Sequence, residues 1–297
     1  MVKSYKSLEQ WLDLLETSHN KKIDLGLDRV KSVYNNLNLE KIAPIIITVA
    51  GTNGKGSTVA ILNSLCQQIG LNVGVFTSPH LLRFNERIII NNNEVADQEI
   101  INAFEVIEEN LNGVTLSYFE YATLAALIIF KNNKVDVAVL EVGLGGRLDS
   151  VNVVDTDCAI ITTIDIDHTD WLGTTIESIG FEKAGIMRPN KPAVYGDINC
   201  PKSIINHAEK INAQLIFPKS DLTYQETNLL GDYQQKNIKT AITAIKSLGI
   251  KIKSDEISKA LKNVKLKGRL QTISKKPQVI IDVSHNKQAA LELARFL

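Results

Sequence analysis

The sequence is poor in cysteine and carries no net charge. Lys plus Arg and Asp plus Glu number 33 each in 297 residues, so composition gives no support for nucleic-acid or membrane-surface binding. The cysteines, Cys66, Cys158 and Cys200, lie far apart with no C-x-x-C pair, which predicts free thiols in a reducing compartment. The first residues lack the apolar core of a signal peptide, and no apolar run reaches membrane-spanning length. We therefore expect a soluble, cytoplasmic protein without a nucleic-acid or membrane partner.

Short apolar runs alternate with segments of helical periodicity along most of the chain. Hydrophobic residues make up 44% of the sequence, which is enough for a substantial core. The continuous apolar runs at 135–142 and 158–164 are typical of central parallel strands covered on both faces. This alternation predicts an α/β fold with a doubly wound, mostly parallel sheet, whose ligands bind at the carboxyl ends of the strands.

A glycine-rich loop, Gly51-Thr52-Asn53-Gly54-Lys55-Gly56-Ser57, separates a predicted strand at 45–49 from a predicted helix. The free backbone N–H groups and the dipole at a helix N-terminus form a site for a phosphate anion. Lys55 can reach the outer phosphates, and Ser57 or Thr58 offers a hydroxyl to Mg²⁺. The spacing departs from G-x-x-x-x-G-K-[ST], so an ordinary turn that needs glycine for left-handed dihedrals is the alternative. Three glycines around a lysine favour a P-loop-type ATP site.

Polar side chains follow the predicted strands at the edge where this fold binds its ligands. Glu141 closes one apolar run and is followed by glycines; it can hold Mg²⁺, with a solvated strand terminus as the alternative. For His168, a structural histidine is an equal alternative. Lys183 lies on an otherwise apolar helix, and periodicity alone predicts that it faces solvent. The other polar residues at this edge are Ser78, His80, Asp165 and Asp167.

The pattern changes after Gly268. Two short strands and an apolar helix are predicted there, at 271–274, 278–283 and 289–297. A unit of this size has too few apolar residues to form a hydrophobic core of its own. We therefore expect an ATP-binding domain over residues 1–267 and the incomplete beginning of a second α/β domain over residues 268–297.

Nine segments occur in a characteristic order: GTNGKGS, TSPHLLRFNERI, FEYATLAAL, LEVGLGGRLDSVN, DHTDWLG, FEKAGIM, GDYQQKN, GRLQ and DVSHN. As an ordered set they closely resemble the folylpolyglutamate synthase and dihydrofolate synthase family, ATP-dependent amide ligases related to the Mur ligases of cell-wall synthesis. The resemblance covers essentially all of the chain from about Asp24. It implies a fold like the central domain of a Mur ligase.

The resemblance implies ATP and Mg²⁺ as cofactors. Residues implied to be catalytic are Lys55, Glu141, His168 and Lys183. Those implied to bind ATP are Asn53, Gly54, Lys55, Gly56 and Ser57 at the phosphates, with Asn237, Arg269 and Asp282 at the adenosine. The magnesium ligands implied are Ser78, Glu141, His168 and Lys183. Lys183 matches a lysine that is carbamylated in the family, which turns a cation into an anion able to support a second metal.

The same resemblance places a pterin-bearing substrate against three segments: Asp24, Leu25, Gly26 and Leu27 (DLGL), Ser117, Tyr118, Phe119 and Glu120 (SYFE), and Leu148. The DLGL and SYFE segments look most like the bifunctional bacterial members, which accept dihydropteroate. The implied reaction adds L-glutamate to dihydropteroate or to folate polyglutamates through an acyl phosphate. A monomer with small-molecule substrates is expected.

Two departures from the family pattern leave alternatives open. The family's D-G-A-H-N-P stands here as Asp282-Val283-Ser284-His285-Asn286-Lys287, and the chain ends where the family's C-terminal domain has barely begun. A catalytically impaired remnant that binds nucleotide or folate is therefore one alternative. A Mur-type ligase acting on a peptidoglycan precursor is another, and the DLGL and SYFE segments argue against it by resemblance only.

Overall fold

The computed structural model describes residues 7–21, 23–219, 224 and 226–296. Its centre is an eight-stranded sheet with the order β4-β3-β2-β5-β1-β6-β7-β8. These strands are β1 Ile45–Ala50, β2 Val73–Phe76, β3 Ile88–Ile90, β4 Asn93–Glu94, β5 Val137–Glu141, β6 Cys158–Ile161, β7 Pro192–Tyr195 and β8 Gln214–Ile216. Six neighbouring strands of this sheet are parallel: β2, β5, β1, β6, β7 and β8. Strands β3 and β4 add an antiparallel edge beside β2. The predicted mostly parallel sheet is confirmed.

Helices cover both faces of the sheet. They are α1 Leu8–Thr17, α2 Asp28–Asn36, α3 Lys55–Gln68, α4 Asp97–Glu109, α5 Tyr118–Asn132, α6 Thr169–Leu172, α7 Ile176–Ala184, α8 Lys202–Lys210, α9 Gln234–Ser247, α10 Ser254–Asn263 and α11 Lys287–Phe296. Short 3₁₀ turns occupy Phe84–Arg87 and Ser150–Val153. None of the helices found in the described residues is both long and apolar enough to cross a membrane.

The core consists of two apolar layers, one on each face of the sheet. Along β5, Ala138 and Leu140 belong to the layer beneath α1, α4 and α5, whereas Val137 and Val139 belong to the layer beneath α3, α9 and α10. Because successive strand residues point to opposite faces, a strand covered on both sides needs apolar residues at every position. This explains the uninterrupted apolar run that predicted a central strand.

The sequence predicts an N-cap at Ser7 and a helix with Leu8, Trp11, Leu12 and Leu15 on one face, and the first helix begins as predicted. The backbone N–H of Gln10 donates to the hydroxyl oxygen of Ser7, 3.3 Å away, so Ser7 is the N-cap of α1. The buried face of this helix carries Leu8, Trp11 and Leu15. Both the cap and the amphipathic stripe were visible in the local sequence.

The sequence near the edge strands predicts a hairpin turn at Asn91-Asn92-Asn93 and a helix capped by Asp97, and both predictions were wrong in detail. Asp97 does not cap α4: it is the first residue of that helix, and its carboxylate accepts from Arg83 and Asn85. The hairpin turn does not include Asn93, which is already in β4; only Asn91 and Asn92 form the turn, with φ of +49° and +66°. Two consecutive left-handed residues match the right-handed twist of the strands that they join.

The last part of the chain is separate from the main sheet. Strands β9 (Gln271–Lys275) and β10 (Gln278–Ile281) form a two-stranded antiparallel sheet of their own, and α11 follows. The two predicted strands and the helix are therefore confirmed. The predicted domain boundary between residues 267 and 268 stays a prediction.

Gly51, directly after β1, is required by a close approach of two segments. A Cβ atom added at Gly51, whose φ is +147°, would lie 1.8 Å from the hydroxyl oxygen of Thr162. That hydroxyl is already committed, since it donates to the carbonyl oxygen of Asn53 at 2.6 Å. The end of β6 thus presses directly against the glycine loop and holds it in place.

We expect Gly51→Ala to lower the free energy of unfolding by about 3 kcal/mol, because it adds both a steric clash and backbone strain. Gly70→Ala is the matched control, since Gly70 has φ of +82° but open space around its Cβ direction. It should cost about 1 kcal/mol from strain alone. Urea unfolding measures both values, and equal losses in the two variants would contradict the close approach at Gly51.

Candidate nucleotide and substrate site

The glycine loop lies at the carboxyl end of the central strand β1 and leads directly into α3. Gly54 has φ of +87°, and α3 begins at the next residue, Lys55. The backbone N–H of Asn53 donates to the Thr163 hydroxyl oxygen at 3.2 Å, so the loop is fastened to the segment after β6. The first N–H groups of a helix have no intrahelical acceptor. The structure therefore contains the strand, loop and helix N-terminus from which the sequence predicted an anion site.

Lys55 folds back over this loop. Its Nζ donates to the carbonyl oxygens of Gly51 (3.0 Å) and Thr52 (3.3 Å). Burial lowers the pKa of Lys55, against the opposing attraction of Glu141. In the next turn of α3 the hydroxyl oxygen of Thr58 is buried, and no hydrogen-bond partner for it is found among the described residues. Within the described part of the chain the Lys55 amine bonds only to backbone carbonyls, and it can therefore pair with a phosphate. The unpaired hydroxyl beside it can be a ligand of the metal ion that accompanies the phosphate.

Glu141, the last residue of β5, is buried next to the loop. Its carboxylate accepts the backbone N–H of Ser78 at 3.3 Å. A Cβ added at Gly56 would lie 3.9 Å from its Oε1, so the carboxylate faces the first turn of α3. Burial raises the pKa of Glu141 to about 7, although Lys55 acts to lower it. A buried carboxylate with so few donors around it is suited to bind a cation.

Lys183 is buried, so the prediction from periodicity that it faces solvent was wrong. Helix α7 packs against the glycine loop, and Lys183 Nζ donates to the Gly51 carbonyl oxygen at 3.1 Å. Burial and the neighbouring Lys55 lower the pKa of Lys183 to about 7. Helical periodicity identifies the polar side of a helix, but it does not show whether that side contacts solvent or another part of the protein. Here the polar side of α7 contacts the glycine loop.

Lys55, His168 and Lys183 line one small cavity of about 30 Å³, together with Asp167 and His285. His168 stands half-exposed at the start of α6 with φ of +50°. Within the part of the chain that the structure describes, no three His, Cys, Asp or Glu side chains gather into a preformed metal site. Magnesium often keeps only one or two protein ligands and takes the rest from substrate phosphates and water. The residues therefore fit a metal that arrives with a nucleotide.

A larger cavity of about 260 Å³ adjoins the loop. The residues lining it that the sequence had indicated are Asn53, Gly54, Ser57, Asn237, Arg269 and Asp282. Gly54 is required here, because a Cβ on it would lie 2.5 Å from the Asn237 side-chain oxygen. Arg269 is close enough to oppose protonation of Lys55 and of Glu141, so its charge acts on the phosphate end of the site.

The Asp282 carboxylate is already engaged within its own segment. It accepts the backbone N–H of Leu270 at 2.9 Å, the backbone N–H of Ser284 at 2.8 Å and the Ser284 hydroxyl. Leu270 is buried with φ of +47°, a conformation that costs energy for a residue with a branched side chain. Asp282 thus lines the cavity and also holds Leu270 in that strained conformation.

The three segments assigned to the second substrate lie together. The Gly26 N–H donates to the Leu148 carbonyl oxygen at 3.2 Å, which joins DLGL to the loop after β5. The Arg29 guanidinium pairs with Asp24 at 2.9 Å and with Glu120 at 3.2 Å, which joins DLGL to SYFE. The Glu120 carboxylate also accepts the Ser117 N–H at 2.7 Å, so it caps α5.

Aromatic packing places the SYFE segment beside the strand end that carries Glu141. The Phe119 ring lies 5.6 Å from that of Phe76, and it fills the space where a side chain on Gly143 would stand. The guanidinium of Arg87 lies over the ring of Tyr118, with its Cζ atom 5.6 Å from the ring centroid. The segment is thus held by packing at the same edge of the sheet as the glycine loop.

Several residues that organise the site carried no recognisable signal in the sequence. Arg29 is one, because nothing local shows that it joins the nearby Asp24 to Glu120, which lies 91 residues further along the chain. Asp149 is another: it is buried, it accepts the N–H groups of Leu144 and Val151, and burial raises its pKa to about 6. Gln288, whose side chain contacts Asn53, is also in this group; the side chain of Asn286 contacts Asn53 too, and the DVSHN segment pointed to its place but not to this contact. The motif GRLD pointed to the place of Asp149, but not to its role.

Comparison with known proteins gives consistent matches. The Mur ligase middle domain family matches residues 49–269. The chain is 42% identical to the dihydrofolate synthase/folylpolyglutamate synthase of Haemophilus influenzae over 100% of this chain and 75% of that protein. It is 43% identical to the Escherichia coli K12 protein of the same name, over 95% of this chain and 71% of that one. The chain thus spans about three quarters of the length of these relatives.

Solved structures agree with the sequence matches. The structure described as E. coli FolC in complex with DHPP and ADP has a TM-score of 0.93 and 41% identity, over 99% of this chain and 74% of that one. A bifunctional folylpolyglutamate synthase/dihydrofolate synthase with Mn, AMPPNP and L-glutamate bound has a TM-score of 0.90 and 41% identity, over 99% and 75%. Both are similar to this chain along nearly its whole length.

The buried Lys183 gives a pH-dependent prediction. Its folded pKa, about 7, lies below the ordinary value of 10.5, so the unfolded chain binds this proton more readily. The resulting destabilisation is complete below about pH 7 and fades as the pH rises toward 10.5. Lys183→Met should therefore be more stable than the wild type at pH 7, by a few kcal/mol at roughly 1.4 kcal/mol per pKa unit.

Urea unfolding of both proteins from pH 6 to pH 10, in buffer free of carbon dioxide, measures this difference. The advantage of Lys183→Met should shrink as the pH rises from about 7 toward 10. Lys210→Met is the control, because Lys210 is exposed at the end of α8. A difference between wild type and Lys183→Met that is constant over this range would contradict the lowered pKa.

Proposed function

The chain belongs to the dihydrofolate synthase/folylpolyglutamate synthase family of Mur ligases, and from this premise we propose which of its residues ligate L-glutamate to dihydropteroate or to a folate. It is an ATP-dependent ligase that uses Mg²⁺. The names of the matched relatives favour a folate-type acid over a peptidoglycan precursor. The single observation that carries the site assignment is the convergence of two lysine amines, Lys55 and Lys183, on the Gly51 carbonyl oxygen, at 3.0 and 3.1 Å.

Two ammonium groups around one weak acceptor repel each other unless an anion or a change of charge compensates them. A nucleotide phosphate supplies that anion for Lys55. The loop residues Asn53, Gly54, Gly56 and Ser57 then surround the phosphates, and Asn237, Arg269 and Asp282 line the adjoining cavity for the adenosine. Magnesium held by Ser78 and Glu141, with phosphate oxygens, would neutralise further phosphate charge.

The chemistry needs charge neutralisation and positioning rather than a protein nucleophile. A carboxylate is a poor acyl donor, so its oxygen first attacks the γ-phosphorus of ATP and ADP leaves, which gives an acyl phosphate. The amine of L-glutamate then attacks the acyl carbon, loses a proton and expels inorganic phosphate. Lys55 stabilises the negative charge on the transferred group, and the DLGL and SYFE segments with Leu148 hold the pterin-bearing acid near it.

We also propose that Lys183 is carbamylated. A lowered pKa leaves a large neutral fraction of the amine near pH 7. The neutral amine adds to the carbon of CO₂, and the N–H proton that is lost goes to solvent, leaving a carbamate anion. This replaces one of two adjacent cations by an anion, which removes the repulsion with Lys55. Together with His168, the carbamate could support a second metal ion.

Two further features of the chain are proposed on the same basis. Residues 1–267 are proposed as the ATP-binding domain and 268–297 as part of a second one; the separate β9–β10 sheet supports this division. The protein is proposed to act as a monomer on small molecules, without a nucleic-acid or membrane partner. The balanced charge of the sequence supports small-molecule substrates.

The function is tested by incubating the purified chain with ATP, dihydropteroate and L-glutamate while phosphate and dihydrofolate are followed together. We expect dihydrofolate to form only when all three substrates are present, with one phosphate released for each amide bond. ATP binding without any amide formation would instead favour a binding protein without ligase activity. Release of phosphate that does not depend on glutamate would indicate that the acyl phosphate is hydrolysed.

Lys55→Ala should weaken binding of a non-hydrolysable ATP analogue with Mg²⁺ by roughly 100-fold, because the phosphates lose a charge-assisted hydrogen bond. Isothermal titration calorimetry measures the affinity. Dihydropteroate binding to the same variant is the internal control and should be unchanged, since the hydrogen bonds found for the Lys55 amine among the described residues go to Gly51 and Thr52 and not to the DLGL or SYFE segments. Unchanged nucleotide affinity in a folded Lys55→Ala variant would remove the phosphate-loop assignment.

A further inference from the structure

Asn286 lies between the two cavities and uses its side-chain amide fully. Its Nδ2 donates to Asn53 Oδ1 at 3.0 Å and to Asp167 Oδ2 at 3.1 Å. Its Oδ1 accepts from the backbone N–H of Ala289 at 3.0 Å and from Asn53 Nδ2 at 3.2 Å. An asparagine amide has two N–H donors and one oxygen with two lone pairs. All four are paired here, so the side chain has one well-defined orientation.

These bonds join three segments that are far apart in the sequence. Asn53 belongs to the glycine loop, 233 residues before Asn286, and Asp167 follows β6, 119 residues before it. Ala289 lies in the first turn of α11, for which Asn286 is the N-cap. Gln288 adds a second link, because its Oε1 accepts from Asn53 Nδ2 at 2.5 Å. One residue thus connects α11 to two walls of the site.

Apolar packing contributes little to the position of α11. No residue from Lys287 to Phe296 is fully buried, and Leu291 and Phe296 are 52% and 39% exposed. The other helices of eight or more residues among those described each bury at least two side chains. Where burial is small, the directional hydrogen bonds decide where an element lies. The contacts of Asn286 and Gln288 are therefore the main restraint on this helix.

The position of α11 matters for both cavities. Asn53, Gln288 and Ala289 line the 260 Å³ cavity, whereas Asp167 lines the small cavity beside Lys55 and Lys183. A shift of Asn286 would move one wall of each cavity. We propose that Asn286 is a positioning residue that holds α11 and the glycine loop together and so preorganises the nucleotide cavity. This proposal rests on the proposed function, in which that cavity binds ATP.

The capping role and the bridging role of Asn286 can be separated by substitution. Serine is a good N-cap, but its shorter side chain has no amide to reach Asn53 and Asp167 together. Asn286→Ser should therefore keep the start of α11 and lose the bridge, whereas Asn286→Ala loses both. Lys287→Ala is the matched control, because Lys287 is the adjacent residue, is exposed and lies on the same helix.

The first measurement is the affinity for a non-hydrolysable ATP analogue with Mg²⁺. We expect Asn286→Ser to raise the Kd for this analogue about tenfold. Without the bridge, α11 and the glycine loop are mobile before binding, and ordering them when the analogue binds costs free energy. Asn286→Ala should show at least the same loss together with a lower Tm, and Lys287→Ala should bind like the wild type. Dihydropteroate affinity should be unchanged in all three, since the hydrogen bonds and ion pairs found for the DLGL and SYFE segments among the described residues do not involve α11. In an Asn53→Ala background, the effect of Asn286→Ser should be smaller, because a shared contact is already lost.

The second measurement is hydrogen exchange of the protein without nucleotide. The amides of 286–296 and of the glycine loop should exchange faster in Asn286→Ser than in the wild type and Lys287→Ala. Unchanged exchange there, or nucleotide affinity equal to the wild type, would overturn the positioning role. A parallel loss of dihydropteroate affinity would also overturn it, since that indicates general unfolding. If the wild type binds no nucleotide, the proposed function fails, and the exchange experiment still decides whether Asn286 positions α11.

Discussion

Two lysine amines directed at one backbone carbonyl oxygen are the constraint on which the site depends. Lys55 from α3 and Lys183 from α7 both donate to the Gly51 carbonyl oxygen. A carbonyl oxygen carries only a partial charge, so two protonated amines here are unfavourable unless negative charge is supplied nearby or one amine loses its proton. The buried carboxylates of Glu141 and Asp149 supply part of it, and both have raised pKa values because burial opposes their ionisation. When both amines are protonated, the repulsion between them favours an additional anion at this place.

The fold brings these groups together by its strand order. Strands β5, β1 and β6 are neighbours, and their carboxyl ends carry Glu141, the glycine loop and the segment of Asp167 and His168. Because all three strands are parallel, these segments leave the same edge of the sheet. The two apolar layers keep the strands rigid, which fixes the distances between groups that come from distant parts of the sequence.

The two sides of the site are stabilised by different interactions. On the side of DLGL and SYFE, the ion pairs of Arg29 are backed by the aromatic packing of Phe119 on Phe76 and by the buried helix α5. On the side of the 260 Å³ cavity, α11 has no fully buried residue, and amide hydrogen bonds link its N-terminus to Asn53 and Asp167. Regions with little buried apolar surface open at lower free energy than the core. The side that carries this cavity is therefore the part of the site whose geometry is easier to change.

The sequence alone determined the local features: the apolar runs of β1 and β5, the Ser7 cap, the glycine loop, and the set of polar residues at the strand ends. Each depends on residues close together in the chain, through periodicity of 2 or 3.6 or through the dihedral needs of glycine. Only the tertiary structure decided that Lys183 points inward, that Arg29 joins Asp24 to Glu120 and that Asn286 joins Asn53 to Asp167. These contacts depend on which elements pack side by side, and a local pattern contains no information about a partner that lies on another element.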